Sequence, residues 1–243
     1  MKRDFFYVCG IFLLCLLLLA GCSSTPPAEE GTAGEKPAPA DEKPIGKTME
    51  LSMGHFMPPK HVQHVDVMEP FAEEIRKKTD GRIDITVYPG EALGKAADQY
   101  DGASTGVMDM AYGLQGYTPG RFPLTSVLEL PFMVSSGTHG AKMLCDLYES
   151  TPELQAEHPG VKILWLFCHD VGQLVSTNKP IKTLEDLKGL RLRSPSATLN
   201  PVVEAWGAIP VNLPMSELYE ALQKGVVDCT ISPLSSIYDF NLS

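Results

Sequence analysis

Several motifs that identify large enzyme classes are missing from this sequence. It has no G-x-x-x-x-G-K-[ST] phosphate-binding loop, no G-x-G-x-x-G dinucleotide fingerprint and no H-E-x-x-H zinc motif. Their absence removes the sequence signals for nucleotide hydrolysis, for dinucleotide-dependent redox chemistry and for zinc-dependent peptide hydrolysis. We therefore expect that the protein is not an enzyme and needs no cofactor.

A surplus of basic residues is also missing. The chain has 20 Lys and Arg residues against 30 Asp and Glu residues, which gives a formal net charge of −10. Nucleic acids and anionic lipid surfaces are bound chiefly through clustered Lys and Arg side chains. An acidic chain without a basic patch is therefore expected to bind neither of them.

Cysteine is scarce, with six residues in the chain, and only Cys145, Cys168 and Cys229 lie in the part with a globular composition. Three cysteines cannot all pair with one another, and their spacing fits no metal or redox motif. Buried free thiols are the preferred interpretation, although one disulfide remains open.

Three histidines lie close together in the sequence, at His55, His61 and His64. The last two are three residues apart on a predicted helix, so a metal site is conceivable, and a secreted metal-dependent hydrolase is one alternative function. The carboxylate set that accompanies such a pair in metal hydrolases is missing. Asp66 and Glu69 on the same helix fit an ordinary polar face, and we prefer this interpretation, with no metal.

The N-terminus has the plan of a secretory signal peptide. Lys2 and Arg3 precede a short apolar run that ends in Leu19-Ala20-Gly21-Cys22. This tetrapeptide resembles the bacterial lipobox, which implies removal of residues 1–21 and attachment of a diacylglycerol to Cys22. Residues 22–47 contain five prolines and no apolar periodicity, so they are expected to form a flexible linker. We expect an exported protein held at the cell membrane by a lipid anchor.

The chain from residue 48 onward alternates strand and helix patterns. This alternation is typical of an α/β domain with a largely parallel sheet. A helix is predicted over residues 61–78, with a kink or a restart at Pro70.

The middle of the chain indicates a division into two lobes. The apolar run at residues 161–168 predicts a strand that is covered on both faces. A second strand pattern begins at Val171, which leaves little room for a crossover connection. We expect the chain to pass here from a first lobe, residues 48–169, to a second lobe, residues 170–243, with a hinge between them.

The stretch from Leu187 to Pro195 carries the clearest functional signal. Leu190 and Leu192 alternate with Arg191 and Arg193, which predicts a short strand with both arginines on one face. A helix with Ser196 as its N-cap is predicted to follow, so Arg193 is expected at the carboxyl end of a strand. Ligands of open α/β sheets bind at such ends, and a guanidinium suits a carboxylate. Solvated arginines on an edge strand are the alternative.

Four stretches together resemble the solute-binding proteins of tripartite ATP-independent periplasmic (TRAP) transporters, the DctP-like family. They are residues 71–89, residues 106–110, Leu187-Lys188-Gly189-Leu190-Arg191-Leu192-Arg193 and residues 217–228. The resemblance implies a two-lobed periplasmic-binding-protein-like fold that closes over a small organic acid. It also implies delivery of that acid to the TRAP membrane subunits, with Arg193 pairing with the ligand carboxylate.

The other expected ligand-binding residues depend on the same resemblance. They are Gln173, Tyr117, Gln115, Ser232 and Met215. Because only Arg193 among these residues is charged, we expect a monocarboxylate with an apolar or hydroxylated body. A ligand-presenting subunit of an extracytoplasmic sensor is an alternative, since its binding lobe would look the same.

The resemblance also concerns the end of the chain. In the family, the strand near residue 231 leads into a long hinge helix and further elements of the second lobe. We therefore expect the C-terminal part of that lobe to be missing from this sequence.

Overall fold

The computed structural model describes residues 47–177 and 179–242. Within these residues seven strands form two sheets. The first sheet is parallel, with the order β2-β1-β3, and consists of β1 (Met49–His55), β2 (Ile83–Tyr88) and β3 (Met110–Tyr112). It forms the first lobe of the protein.

The second sheet has the order β4-β7-β5-β6. It consists of β4 (Gln173–Ser176), β5 (Arg191–Ser194), β6 (Ile209–Asn212) and β7 (Cys229–Ser232). Strands β5, β6 and β7 run parallel, whereas β4 is antiparallel to β7. The predicted α/β class, with mostly parallel strands in two lobes, is confirmed.

Helices connect the parallel strands, because a parallel pair needs a crossover connection. In chain order the α-helices are α1 (Glu69–Lys78), α2 (Gln99–Thr105), α3 (Gly137–Ser150), α4 (Pro152–Ala156), α5 (Asn200–Ala205), α6 (Met215–Gln223) and α7 (Leu234–Asp239). A π-helical turn, His64–Met68, leads directly into α1, which has Pro70 in its first turn. The predicted helix forms, but the backbone stays helical through Met68 and Glu69, so the predicted restart at Pro70 does not occur.

The largest hydrophobic core joins both sheets. It contains Met53 of β1, Phe56 directly after this strand and Leu218 of α6. Burial of each such side chain stabilises the fold by about 1.5–3 kcal/mol. A smaller core around Leu192 and Cys229 lies against the second sheet. Both sheets fall in one compact unit, Lys43–Ser243, so the boundary between residues 169 and 170 stays a prediction.

The strand predicted over residues 161–168 does not form, and this prediction was wrong. Trp165 and Phe167 pack on the large core and Leu166 on a third, small one, so the side chains alternate as in a strand. A strand also needs a partner for its backbone N–H and C=O groups. The run lines a cavity of about 440 Å³ together with the edge strand β3, and it forms no ladder with that strand.

All three cysteines expected in the folded part, Cys145, Cys168 and Cys229, are free thiols. Burial and the nearby Asp228 carboxylate raise the pKa of the Cys229 thiol to about 11. The interpretation as buried free thiols is thus confirmed for Cys229, while Cys145 and Cys168 are half-buried.

The predicted signal peptide, the lipidation site Cys22 and almost all of the predicted linker lie outside the described residues. Between residues 47 and 242, leaving out residue 178, none of the helices combines the length and apolar character that a membrane crossing requires.

The three neighbouring histidines, His55, His61 and His64, meet where β1, the π-helical turn and α7 join. The backbone N–H of Met57 donates to Nδ1 of His55. His55 must therefore carry its proton on Nε2, which donates to Nδ1 of His64 at 3.0 Å. His61 faces Asp239 at 3.6 Å. Burial, and then the charges of His64 and His61, lower the pKa of His55 to about 4.

This pKa predicts a loss of stability in acid. Between pH 6.5 and pH 4 the unfolded chain binds a proton at His55 that the folded protein excludes, so the free energy of unfolding falls as the pH drops. The loss is about 1.4 kcal/mol per pH unit at most, and about 2–3 kcal/mol between pH 6.5 and pH 4.

Urea unfolding of wild type and His55→Gln at several pH values measures this dependence of the free energy of unfolding on pH. The exposed His169→Gln is the control and should keep the wild-type slope; an unchanged slope in His55→Gln would contradict the assignment.

Candidate functional site

Arg193 lies near the carboxyl end of β5, at the centre of the second sheet. It stands opposite Val211 of β6 and Thr230 of β7. Because these three strands are parallel, their carboxyl ends open at the same edge of the sheet. A 3-10 turn, Ala197–Leu199, and helix α5 follow this strand end.

The guanidinium of Arg193 is held by three neutral oxygens. Nε donates to the carbonyl oxygen of Leu213 at 2.9 Å, Nη1 to that of Ile231 at 3.1 Å, and Nη2 to the hydroxyl of Tyr117 at 3.3 Å. A guanidinium has five N–H groups, so two of them remain for another acceptor. The side chain is thus fixed in place, and two of its N–H groups are left to donate to another acceptor.

Arg193 is also a buried charge without a counter-charge. The residue is only 2% exposed, and no carboxylate of residues 47–177 or 179–242 forms an ion pair with it. Burial lowers the pKa of its guanidinium. Moving an unpaired charge out of water costs several kcal/mol, which an anion beside it offsets. The site is therefore suited to an anionic ligand.

Tyr117 reaches Arg193 from the other lobe. It ends the 3-10 turn Gln115–Tyr117, which follows β3, and it is 7% exposed. Its hydroxyl oxygen accepts from Nη2 of Arg193 and from the backbone N–H of Met215 at 3.0 Å. The ring of Phe56 meets the Tyr117 ring edge-on, with centroids 5.4 Å apart. The Tyr117 ring, with Phe56 packed against it, thus lies next to the buried guanidinium of Arg193.

Three further predicted site residues lie at this edge of the second sheet. Met215 begins α6, and its sulfur lies 3.9 Å from the hydroxyl of Ser232 at the end of β7. Gln173 begins β4 directly opposite Ser232 and is exposed. The structure therefore brings Arg193, Tyr117, Met215, Ser232 and Gln173 together around one edge.

Gln115 is the predicted site residue that points elsewhere. Its Nε2 lies 2.7 Å from Nε2 of His158, and both residues line the 440 Å³ cavity of the first lobe. The turn therefore presents Tyr117 to Arg193 while Gln115 faces the interior of its own lobe. A direct contact of Gln115 with a ligand at Arg193 stays a prediction that this arrangement does not support.

Arg191 has a different environment from Arg193 on the same strand. Its Nε and Nη2 donate to the two carboxylate oxygens of Asp228 at 3.0 and 2.7 Å, and 44% of its side chain is exposed. Its charge is already neutralised at the surface. The interpretation as a solvated surface arginine, raised for both residues, applies to Arg191 only.

Ser196 does not cap the following helix as predicted, because its hydroxyl donates to the Glu129 carboxylate of the first lobe instead. A second contact of this kind joins Ser216 of α6 to Glu91 at 2.9 Å. Sequence reasoning missed both pairs, since their partners are 67 and 125 residues apart. No local pattern marks such contacts.

Two candidate enzyme features do not form sites. In the part of the chain that is described, no three His, Cys, Asp or Glu side chains converge in a way that could hold a metal. The string from Gly102 to Gly106 matches the G-x-S-x-G spacing of a nucleophile elbow. It forms the end of helix α2 rather than a strand-to-helix turn, and the hydroxyl of Ser104 donates to the carbonyl of Asp101.

The model of the DctP family, "Bacterial extracellular solute-binding protein, family 7", matches residues 53–243. The chain belongs to this family. A solute-binding protein of Roseobacter denitrificans is 30% identical to this DctP-family chain over 84% of the chain and 62% of the relative. The predicted relationship to TRAP solute-binding proteins is thereby confirmed.

Solved TRAP solute-binding proteins share the fold of this family member. One from a marine metagenome, in complex with 3-hydroxybenzoate, superimposes with a TM-score of 0.77 at 30% identity. The match covers 81% of this chain and 61% of the metagenome protein. One from Bordetella bronchiseptica, with bound (R)- and (S)-mandelate, has a TM-score of 0.74 at 35% identity. The match covers 80% of this chain and 61% of the Bordetella protein. The chain thus spans about three fifths of the length of these relatives.

Proposed function

We propose that this protein is an extracytoplasmic receptor that captures a small organic acid and delivers it to the membrane subunits of a TRAP-type secondary transporter. The observation that carries the proposal is the buried guanidinium of Arg193. It lacks a carboxylate partner among the described residues and keeps two N–H groups for one.

The ligand carboxylate is the missing counter-charge of Arg193. A carboxylate has two oxygens whose spacing suits two parallel N–H groups of a guanidinium, and charge-assisted pairs of this kind are about twice as strong as neutral hydrogen bonds. The carbonyls of Leu213 and Ile231 fix the plane of the guanidinium in advance. The ligand therefore meets a pre-organised fork, which reduces the entropy cost of binding.

The surroundings of Arg193 favour a monocarboxylate with a ring or another apolar body. The side chains at hand are Tyr117, with Phe56 packed behind its ring, and Met215, with the hydroxyl of Ser232 as a polar group. No second Lys or Arg contacts the guanidinium or its three acceptors among the described residues, so a second carboxylate lacks a partner here. The solved relatives with 3-hydroxybenzoate and mandelate support this class.

Conservative replacement of the arginine tests the site. We expect Arg193→Lys to weaken binding of 3-hydroxybenzoate or mandelate by about 2–5 kcal/mol, which is roughly 30- to several-thousand-fold in Kd. Lysine keeps the charge but is a flexible point donor that cannot form the second parallel bond. Isothermal titration calorimetry measures the loss.

Arg191→Lys is the matched control for this measurement. Arg191 lies on the same strand, but its guanidinium is exposed and paired with Asp228, so the change should leave the Kd within about twofold. Equal small losses in both variants would place the anion site elsewhere and would remove the main support for the function.

We further propose that the protein is exported and anchored by a lipid on Cys22, with residues 22–47 as its tether. The signal-like segment before Leu19-Ala20-Gly21-Cys22 supports this proposal. A tether of roughly 25 residues spans some 25–30 Å as a random coil. The binding site then operates close to the membrane subunits without contacting the bilayer.

Replacement of the predicted lipidation site tests the anchor. Cys22→Ser removes the thiol that receives the diacylglycerol, so we expect uncleaved precursor and no incorporation of labelled fatty acid. Cys145→Ser, a cysteine of the folded part, should be processed and labelled like wild type. Normal processing and unchanged membrane fractionation of Cys22→Ser would contradict the anchor.

A further inference from the structure

His55, His61 and His64, here termed the histidine junction, all accept a hydrogen bond through the same ring nitrogen. Nδ1 of His55 accepts from the backbone N–H of Met57 at 3.2 Å, and Nδ1 of His61 accepts from that of Gln63 at 3.1 Å. Nδ1 of His64 accepts from Nε2 of His55 at 3.0 Å. A neutral imidazole has one acceptor nitrogen, and in all three rings this nitrogen is occupied.

These bonds hold the three rings in their neutral form. A second proton would bind at Nδ1, where an N–H already points, so protonation of any of the rings breaks a hydrogen bond. Burial adds to this cost, because His55 is only 1% exposed and His61 and His64 are 8% exposed. Burial lowers the pKa of His61, although the Asp239 carboxylate offsets part of the effect. The intact junction therefore excludes protons that a hydrated histidine would bind.

The charged side chains near the junction offer a protonated ring little compensation. Among the residues that the structure describes, two carboxylates lie within ion-pair distance of the rings. Oδ2 of Asp239 is 3.6 Å from Nε2 of His61, and Oε1 of Glu69 is 3.5 Å from Nε2 of His64. Both distances are too long for a hydrogen bond. Asp66, on the π-helical turn itself, is exposed.

A series of aromatic contacts connects His61 with the anion site. The ring of Phe240, directly after α7, meets the His61 ring edge-on, with centroids 5.3 Å apart. Phe240 stacks on Phe56 at 6.4 Å, and Phe56 meets Tyr117 edge-on at 5.4 Å. The hydroxyl of Tyr117 contacts Arg193. Phe240 therefore has His61 on one side and the packing behind the anion site on the other.

We propose that the histidine junction makes ligand affinity sensitive to pH: a proton on His61 releases Phe240 and α7, and thereby weakens the binding of an organic acid at Arg193. A charged His61 loses the bond from Gln63 and is best stabilised by water, which replaces Phe240 at its ring. That movement removes the packing behind Tyr117. The inference depends on the proposed function, since it requires an acid at Arg193. The protein then holds its ligand more weakly in acid.

Calorimetric titration at two pH values tests this coupling in the full chain. The probes are 3-hydroxybenzoate and mandelate, at pH 7.5 and at pH 5.5, with circular dichroism to verify that the protein is folded at both. A carboxylate with a pKa of about 4 stays ionised throughout. One linked proton changes Kd by at most about tenfold per pH unit. For the probe that binds wild type more tightly, we expect roughly 3- to 10-fold weaker binding at pH 5.5.

Three variants identify the residue that binds the proton. His61→Gln keeps a donor and an acceptor but does not titrate, so it should lose most of the pH dependence. Asp239→Asn keeps His61 and removes the carboxylate that favours its charged form, so the affinity should fall more steeply below pH 6.5. The exposed His169→Gln is the control and should behave like wild type.

A count of linked protons separates titration of His61 from a purely structural contact. Titrations at pH 6 in two buffers of different ionisation enthalpy give the number of protons exchanged on binding. Because the ligand selects the intact, neutral junction, wild type and His169→Gln should release protons, and His61→Gln should release none. A merely structural role of His61 would leave this number unchanged in His61→Gln.

The failures of the two proposals are distinguishable. Equal Kd values of wild type at the two pH values, or a wild-type pH dependence in His61→Gln, would overturn the role of the histidine junction and leave the proposed function in place. Absence of binding of both probes to wild type at pH 7.5 would overturn both proposals.

Discussion

The burial of one unpaired positive charge is the constraint on which the functional edge of this protein depends. The guanidinium of Arg193 is almost completely removed from water and is held by two carbonyls and one phenol. Neutral acceptors offset only part of the desolvation cost of a cation, and the remainder favours any anion that can reach it. Arg191 on the same strand is exposed and already paired with Asp228, so it does not need a further anion. The anion site is therefore defined by the burial of Arg193 and not by the presence of an arginine.

The fold supplies this environment by bringing two sheets together over a shared core. The second lobe contributes the arginine and the start of α6, and the first lobe contributes Tyr117 with Phe56 behind it. Hydroxyl–carboxylate contacts from Ser196 and Ser216 to the first lobe support the same approach. Such contacts are individually weak and exchangeable with water.

Much of this arrangement was predictable from local sequence patterns. Alternating strands and helices indicated the α/β class, and the Leu-Arg-Leu-Arg alternation placed Arg193 at the end of a strand. What local patterns could not show depends on long-range geometry. The apolar run at residues 161–168 has strand-like side-chain alternation but no backbone partner, Ser196 bonds across to Glu129 instead of capping its helix, and Gln115 turns to His158. The contacts of Tyr117 with Arg193 and Met215 join residues 76 and 98 positions apart, which no spacing rule reveals.

The identity of the molecule that the protein retains tests the role of the buried arginine most directly. Mass spectrometry of small molecules released from protein purified without refolding should find one organic acid, a monocarboxylate with a ring or other apolar body, at close to one per chain. The same preparation of Arg193→Lys should have lost it. A neutral or cationic molecule, or an acid retained equally by Arg193→Lys, would contradict the central role of the buried arginine.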